Sequence, residues 1–249
     1  LPSSPQPRVE SSRNPAVGII NQLCHIQGGK ELNSVAVLAS GGMDSCVLLA
    51  DLAEDAYVSP LYVRTGLAWE TAELAALTSF IDALSNPHIA ALTSLTVPVS
   101  DVYGEHWSLT GRDVPEYEAP DNDVYLPGRN IMLIGFSAVW CSTHDIHRIA
   151  IGTLGGNPFA DASPMFFESY AACLSQGLSH RITVEAPYRG MTKSELIKTH
   201  THLPLELSLT CLAPIKGIHC GACNKCRERQ EAFAKAVVKD HTTYAKRQE

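Results

Sequence analysis

Two groups of residues in this chain combine types and spacings that do chemistry. The first is Ser40-Gly41-Gly42-Met43-Asp44-Ser45. Its glycines carry no Cβ, so backbone N–H groups can come close to an anion, and Ser40 and Ser45 add hydroxyl donors. An apolar run precedes it and a helical pattern follows. A strand, a glycine turn and a helix N-terminus make an anion site, because unsatisfied N–H groups and the helix dipole both favour negative charge there. The loop lacks the Gly-Lys-Ser/Thr ending of a Walker A sequence and is not Gly-x-Gly-x-x-Gly, so neither of those phosphate sites is spelled here. The second group is Cys211-x8-Cys220-x2-Cys223-x2-Cys226. Four thiolates complete a tetrahedron and leave no position for water, which points to structural zinc; an iron–sulfur cluster and a redox dithiol are the rival readings. His219 falls outside this shell, since four sulfurs already fill it.

Single residues add to the first group. Asp44 suits magnesium held on phosphates, or the cap of its own helix. Arg129, after Pro127-Gly128 and before an apolar helix, can clamp a phosphate or serve a surface ion pair. Lys193 stands in a first helical turn, the wrong end for the dipole, which favours an anionic partner. Arg64 ends a strand on the same side. Cys24, Cys46, Cys141 and Cys173 read as small buried apolar side chains.

The elements that must position these residues follow from periodicity. Short apolar runs at 35–39, 57–63, 92–97, 148–152 and 182–186 read as strands, and 69–84, 131–141, 166–176, a stretch from 192 and about 225–240 read as helices. Alternating strands and helices give an α/β fold, a doubly wound parallel sheet, whose ligands bind beyond the carboxyl ends of the strands. Residues 101–125 form a long polar, irregular stretch, of the kind that is an active-site lid, an insertion or a mobile segment. Three parts are expected: an N-terminal extension over 1–33, with a flexible tail at 1–14 and a short helix at 15–24; a nucleotide-binding α/β domain over 34–200; and a zinc-binding C-terminal segment over 201–249 packed on it.

Composition sets bounds. The 249 residues carry a formal net charge of -7, which gives no support to nucleic-acid binding through bulk charge. No run approaches the ~20 apolar residues of a membrane span. The opening Leu1-Pro2-Ser3-Ser4-Pro5 has neither the basic start nor the apolar block of a secretory signal, so the expected compartment is the cytoplasm.

Ser-Gly-Gly-x-Asp-Ser after a strand resembles the pyrophosphate loop of the ATP pyrophosphatase superfamily. Further pieces narrow this: Leu38-Ala39 before the loop, Leu126-Pro127-Gly128-Arg129-Asn130, Pro187 with Met191-Thr192-Lys193-Ser194-Glu195, and His219-Cys220-Gly221-x-Cys223-x-x-Cys226-x-x-Arg229-x-x-Ala232-Phe233. Together they resemble the 7-cyano-7-deazaguanine synthase family of queuosine biosynthesis. Residues 62–70 and 157–164 are spelled differently from that family's usual pattern. The resemblance implies an adenine nucleotide alpha hydrolase-like fold and an ATP-dependent carbon–nitrogen ligase. The reaction implied converts 7-carboxy-7-deazaguanine and ammonia to the nitrile through an adenylate, with ATP, Mg²⁺ and structural Zn²⁺; a homodimer is allowed. It assigns Leu38, Ala39, Ser40, Gly41, Gly42, Met43, Asp44, Ser45, Cys46, Val47 and Leu48 to the nucleotide, Asp44, Arg129 and Lys193 to catalysis, and Cys211, Cys220, Cys223 and Cys226 to the metal. Asp161 and Arg64 are further candidates for substrate contact. Two alternatives stand beside it: an adenylating enzyme acting on another carboxylate, amide or tRNA base, and a non-catalytic nucleotide-binding zinc protein.

Overall fold

The computed structural model describes residues 33–246. The expectations for 1–14 and 15–24, and for Cys24, lie outside the described residues. Strand β1 (Asn33–Leu38) buries Val35, Ala36 and Val37 completely, as a strand covered on both faces must. Helix α1 (Met43–Asp55) follows the glycine turn, then β2 (Ala56–Arg64), α2 (Glu70–Leu84) and β3 (Thr93–Thr96). After a long connection come α3 (Arg129–Thr143), β4 (Arg148–Ile151), α4 (Pro164–Leu178), β5 (Thr183–Glu185), α5 (Lys193–Thr199) and α6 (Asn224–Ala236). All strand pairs are parallel, in the order β3-β2-β1-β4-β5. This is the expected doubly wound α/β sheet.

The two-residue period of β1 divides the core. Val35 and Val37 pack with α1, with Leu77 and Phe80 of α2, with Leu196 and Ile197 of α5, and with Ala232 and Phe233 of α6. Ala36 and Leu38 face Ile134, Ala138 and Cys141 of α3 and Phe167 of α4. Burying Val47, Leu48 and Leu49 is worth about 1.5–3 kcal/mol each, which fixes where the N-terminus of α1 stands. The C-terminal segment supplies part of the first core layer, so α6 is tied to the sheet rather than hung beside it.

Three expectations change in detail. Residues 101–125 are not featureless: they hold helical turns at Ser100–Tyr103, Trp107–Thr110 and Asp121–Val124. Their apolar side chains join a third cluster, in which Trp107 stacks on Trp69 at 5.7 Å. The last helix stops at Ala236, where Val237 turns left-handed at φ 56°, short of residue 240. Cys173 is exposed, because on α4 it lies away from the face of Phe167 and Ala171 that meets the sheet. Cys46 and Cys141 are buried as expected.

Candidate nucleotide site and four-cysteine centre

A cleft of about 500 Å³ opens beyond the carboxyl ends of β1 and β4, where the strand order reverses. The loop between β1 and α1 forms its floor. Gly41 has φ 76°, and a Cβ there would collide with the backbone carbonyl of Glu73 on α2. A Cβ on Gly152, after β4, would stand 2.9 Å from the Asp44 carbonyl carbon. Both glycines therefore let neighbouring backbone close around the loop. Ser45 Oγ accepts from the Ser40 N–H at 3.1 Å and donates to the Gly42 carbonyl at 3.0 Å, while Ser40 Oγ accepts from the Gly42 N–H at 3.3 Å. The cap residue of α1 is Gly42, and no side chain caps this helix among the described residues, so its N-terminus keeps donors for a ligand. Leu38, Ala39, Ser40, Gly42, Met43, Asp44 and Ser45 line the cleft. Gly41 packs on Glu73, and Cys46, Val47 and Leu48 lie in the core behind the loop. Burial pushes the Cys46 thiol far above its ordinary range.

Around the phosphate loop, charged side chains reach the cleft from α1, α3, α5 and α6. Lys193 opens α5, whose start is fixed by a capping box: Thr192 Oγ1 accepts from the Glu195 N–H and Glu195 Oε2 from the Thr192 N–H. Its ammonium pairs with Glu228 of α6 at 2.5 Å and Asp44 at 3.4 Å, and Glu228 also pairs with Lys225 at 2.6 Å. Burial works against the Lys193 charge, yet Asp44 and Glu228 outweigh it and hold the ammonium protonated. Burial likewise opposes ionisation of Glu228, but Lys193 and Lys225 bring its carboxyl down to about 2. Asp44 Oδ1 is buried with no hydrogen-bond partner among the described residues, and burial raises this carboxyl despite Lys193. Arg129, first residue of α3, lines the cleft and makes no side-chain hydrogen bond or ion pair among the described residues. Arg64 points elsewhere: it pairs with Glu70 at 2.9 Å and does not line the cleft.

The stretches 62–70 and 157–164 both contribute to the walls. Tyr62 and Trp69 line the cleft with Glu73, whose Oε2 accepts from the Tyr62 hydroxyl at 2.8 Å. Burial raises the Glu73 carboxyl to about 7, against the opposing pull of Arg129 and of hydrogen bonds from Tyr62 and Trp69. On the other wall Asp161 Oδ2 accepts from the Asn130 N–H at 3.0 Å, and the Asn130 amide donates to the Asp161 carbonyl at 3.0 Å. That pair fastens the 153–161 loop to the start of α3. Tyr125 and Phe159 meet at 4.8 Å between centroids, both lining the cleft.

The four cysteines converge, each buried, with their sulfurs within 4.8 Å of one another. Cys220 and Cys226 sulfurs lie 3.8 Å apart, about the tetrahedral edge that metal–sulfur bonds near 2.3 Å produce. Backbone N–H groups of Cys220, Gly221 and Ala222 donate to the sulfurs of Cys211, Cys226 and Cys220, which favours thiolates. This donor set fits a metal ion. His219 stays outside it: its Nε2 accepts from the Thr210 N–H at 3.0 Å, and burial, with Arg229 nearby, pushes its pKa down to about 3.

The centre is joined to the loop. Leu209, two residues before Cys211, donates its N–H to the Gly41 carbonyl at 2.8 Å. Arg229, fully buried on α6, holds the same segment through the Leu205 carbonyl at 2.7 Å and Ser208 Oγ at 3.0 Å. Glu73, Tyr62, Glu228, Lys225 and Leu209 are site residues that spacing alone does not reveal. Arg229 stood in the motif, but nothing there marked it as a brace.

A family model described as "Queuosine biosynthesis protein QueC" matches residues 34–237. A 7-cyano-7-deazaguanine synthase of Methanocaldococcus jannaschii is 25% identical over 86% of this chain and 99% of its own length. A 7-cyano-7-deazaguanine synthase 1 of Desulfitobacterium hafniense is 30% identical over 81% of this chain and 91% of its own. Among solved structures, the U34-tRNA thiolase NcsA from Methanococcus maripaludis with its [4Fe-4S] cluster gives a TM-score of 0.45 at 16% identity, covering 88% of this chain and 70% of that one.

Proposed function

The chain belongs to the QueC family of queuosine biosynthesis proteins, and from that premise we propose that it converts 7-carboxy-7-deazaguanine and ammonia to 7-cyano-7-deazaguanine at the expense of ATP. The observation that carries this reading is the uncapped N-terminus of α1 beneath Ser40–Ser45, served by Lys193 and Arg129 from other elements instead of by a Walker lysine. Such a site suits departure of pyrophosphate and attack at the α-phosphorus.

A carboxylate resists ammonia because oxide would have to leave. Its oxygen attacks the α-phosphorus, pyrophosphate departs, and an acyl-adenylate forms. Ammonia attacks the carbonyl carbon, the bond to AMP breaks, and the nitrogen gives up a proton. A second ATP activates the amide oxygen in the same way, and loss of AMP and a proton leaves the nitrile. The N–H groups of the loop, with Ser40 and Ser45, stabilise the charge growing on pyrophosphate. Lys193 and Arg129 hold phosphate or substrate oxygens in line. Asp44, with its orphaned Oδ1, would hold magnesium, which when bound neutralises phosphate charge. Cys211, Cys220, Cys223 and Cys226 would hold zinc in a structural role. The division into 34–200 and 201–249 is kept as a division of labour, nucleotide chemistry and metal bracing, not of cores. Phe136 and Val139, exposed on α3, are apolar surface that a homodimer would cover.

Metal-loaded protein given ATP, 7-carboxy-7-deazaguanine and ammonium is expected to form the nitrile with AMP and pyrophosphate, read by mass spectrometry. Protein that binds ATP but yields neither amide nor nitrile would refute the reading.

A further inference from the structure

Ammonia attack on an activated carbonyl releases a proton, and a carboxylate lining the cleft can take it. Among the described residues, no histidine lines the cleft; its acids are Asp44, Glu73, Asp121, Asp161 and Glu228. Four of these are committed elsewhere. Glu228 is held by two lysines and is too weak a base. Asp44 faces Lys193 beside the phosphate loop. Asp161 accepts the Asn130 N–H and carries the 153–161 loop. Asp121 accepts from the Asn224 amide at 3.2 Å and faces Arg227 at 3.6 Å, on the rim.

Glu73 also accepts a hydrogen bond, from the Tyr62 hydroxyl at 2.8 Å, but it is the acid packed directly on the phosphate loop that carries no cation among the described residues. Its backbone carbonyl rests on Gly41, so the first turn of α2 is set directly against the loop; Glu73 lines the same cleft, and its carboxyl bonds the Tyr62 hydroxyl, whose residue lines it too. Among the described residues no cation lies within ion-pair distance of it. The groups facing it are Tyr62 of β2, Trp69 and Glu70 at the start of α2, Arg129 of α3 and the Cys46 thiol of α1.

Resting on the function proposed above, we propose that Glu73 takes the proton released when ammonia displaces AMP from the acyl-adenylate. The carbon–nitrogen bond forms and the carbon–oxygen bond to AMP breaks with its electron pair going to AMP. The N–H proton moves to a carboxylate oxygen of Glu73 and is later given to solvent. A buried carboxyl that titrates near neutrality is matched to this task, whereas an ordinary one holds protons too weakly.

The test compares Glu73→Gln with the unaltered protein at saturating ammonium over a range of pH, alongside exchange of pyrophosphate into ATP in the presence of 7-carboxy-7-deazaguanine without ammonia. The unaltered protein should show turnover rising through a midpoint near 7. E73Q should lose about 10²- to 10⁴-fold in turnover, lose that rise, and keep the exchange reaction. Tyr62→Phe removes a donor that favours the carboxylate, so its midpoint should move to higher pH. E73Q with an unchanged profile, or Y62F with an unmoved midpoint, overturns the proposal. Equal loss of exchange and turnover in E73Q also overturns it, by moving Glu73 to the activation step or the fold. If the unaltered protein itself shows no exchange, the functional reading beneath the proposal fails instead, and the proposal with it.

Discussion

Replacing Glu73 by Gln should stabilise the protein at neutral and alkaline pH while impairing its chemistry. Burial raises this carboxyl from 4.5 to about 7. At roughly 1.4 kcal/mol per pH unit, that difference is worth about 3 kcal/mol. The unfolded chain gives up the proton near 4.5 and the folded chain near 7, so between those values the folded state binds more protons. Glu73's contribution is therefore complete below about 4.5, declines as pH rises through 7, and is absent above. Gln keeps the acceptor for the Tyr62 hydroxyl but carries no charge to bury. Urea unfolding of both proteins, at equal metal content, should show the stability of E73Q relative to the unaltered protein growing by about 2–3 kcal/mol between pH 5 and pH 8. Taking the difference cancels the other carboxylates. A gap that is the same at both pH values would show that Glu73 titrates normally, and would remove the physical basis of its assignment.

The other predictions follow from partners present or missing. Arg129→Gln breaks no ion pair among the described residues, so its unfolding free energy should stay within about 0.5 kcal/mol while turnover falls on the order of 100-fold. Unchanged turnover would remove Arg129 from the site. Lys193→Met leaves Asp44 and Glu228 partly buried without their shared cation, and should cost about 3 kcal/mol and abolish pyrophosphate exchange. Stability and exchange rates measured together decide this. Cys223→Ser, or chelation of the native protein, should remove the bound metal and weaken ATP binding as well, because Leu209 links the cysteine segment to Gly41. Metal analysis alongside calorimetric titration with ATP checks this, and full ATP affinity in metal-free protein would break the link.

The sheet was legible in the chain because its inner strands β1, β2 and β4 read as short apolar runs, as buried strands do, and the half-buried edge strands β3 and β5 follow them at the spacing of alternating strands and helices. The phosphate loop was legible because its chemistry lies in six consecutive residues. The cysteine centre was legible from spacing, since a Cys-x-x-Cys turn brings two sulfurs together by itself. Glu73 was not legible: an acid in the first turn of an amphipathic helix is ordinary, and only the packing of that turn on Gly41 brings it to the wall of the cleft. Glu228 and Lys225 were hidden by the cysteines beside them, which marked α6 as a metal-bearing helix and masked its contact with Lys193. The 101–125 stretch looked like open loop because its apolar residues are widely spaced, yet Trp107 finds its partner in Trp69, far away in sequence. These misses share one cause, that tertiary contacts between distant segments leave no local pattern.

The central claim is that the loop serves attack by a carboxylate oxygen on the α-phosphorus of ATP. The most direct measurement supplies 7-carboxy-7-deazaguanine labelled with ¹⁸O in its carboxylate, together with ATP and ammonium, and examines the nucleotide product by mass spectrometry. The account predicts AMP carrying ¹⁸O on its phosphorus, with unlabelled pyrophosphate. Label found in inorganic phosphate beside ADP, or nitrile formed with unlabelled AMP, would contradict it.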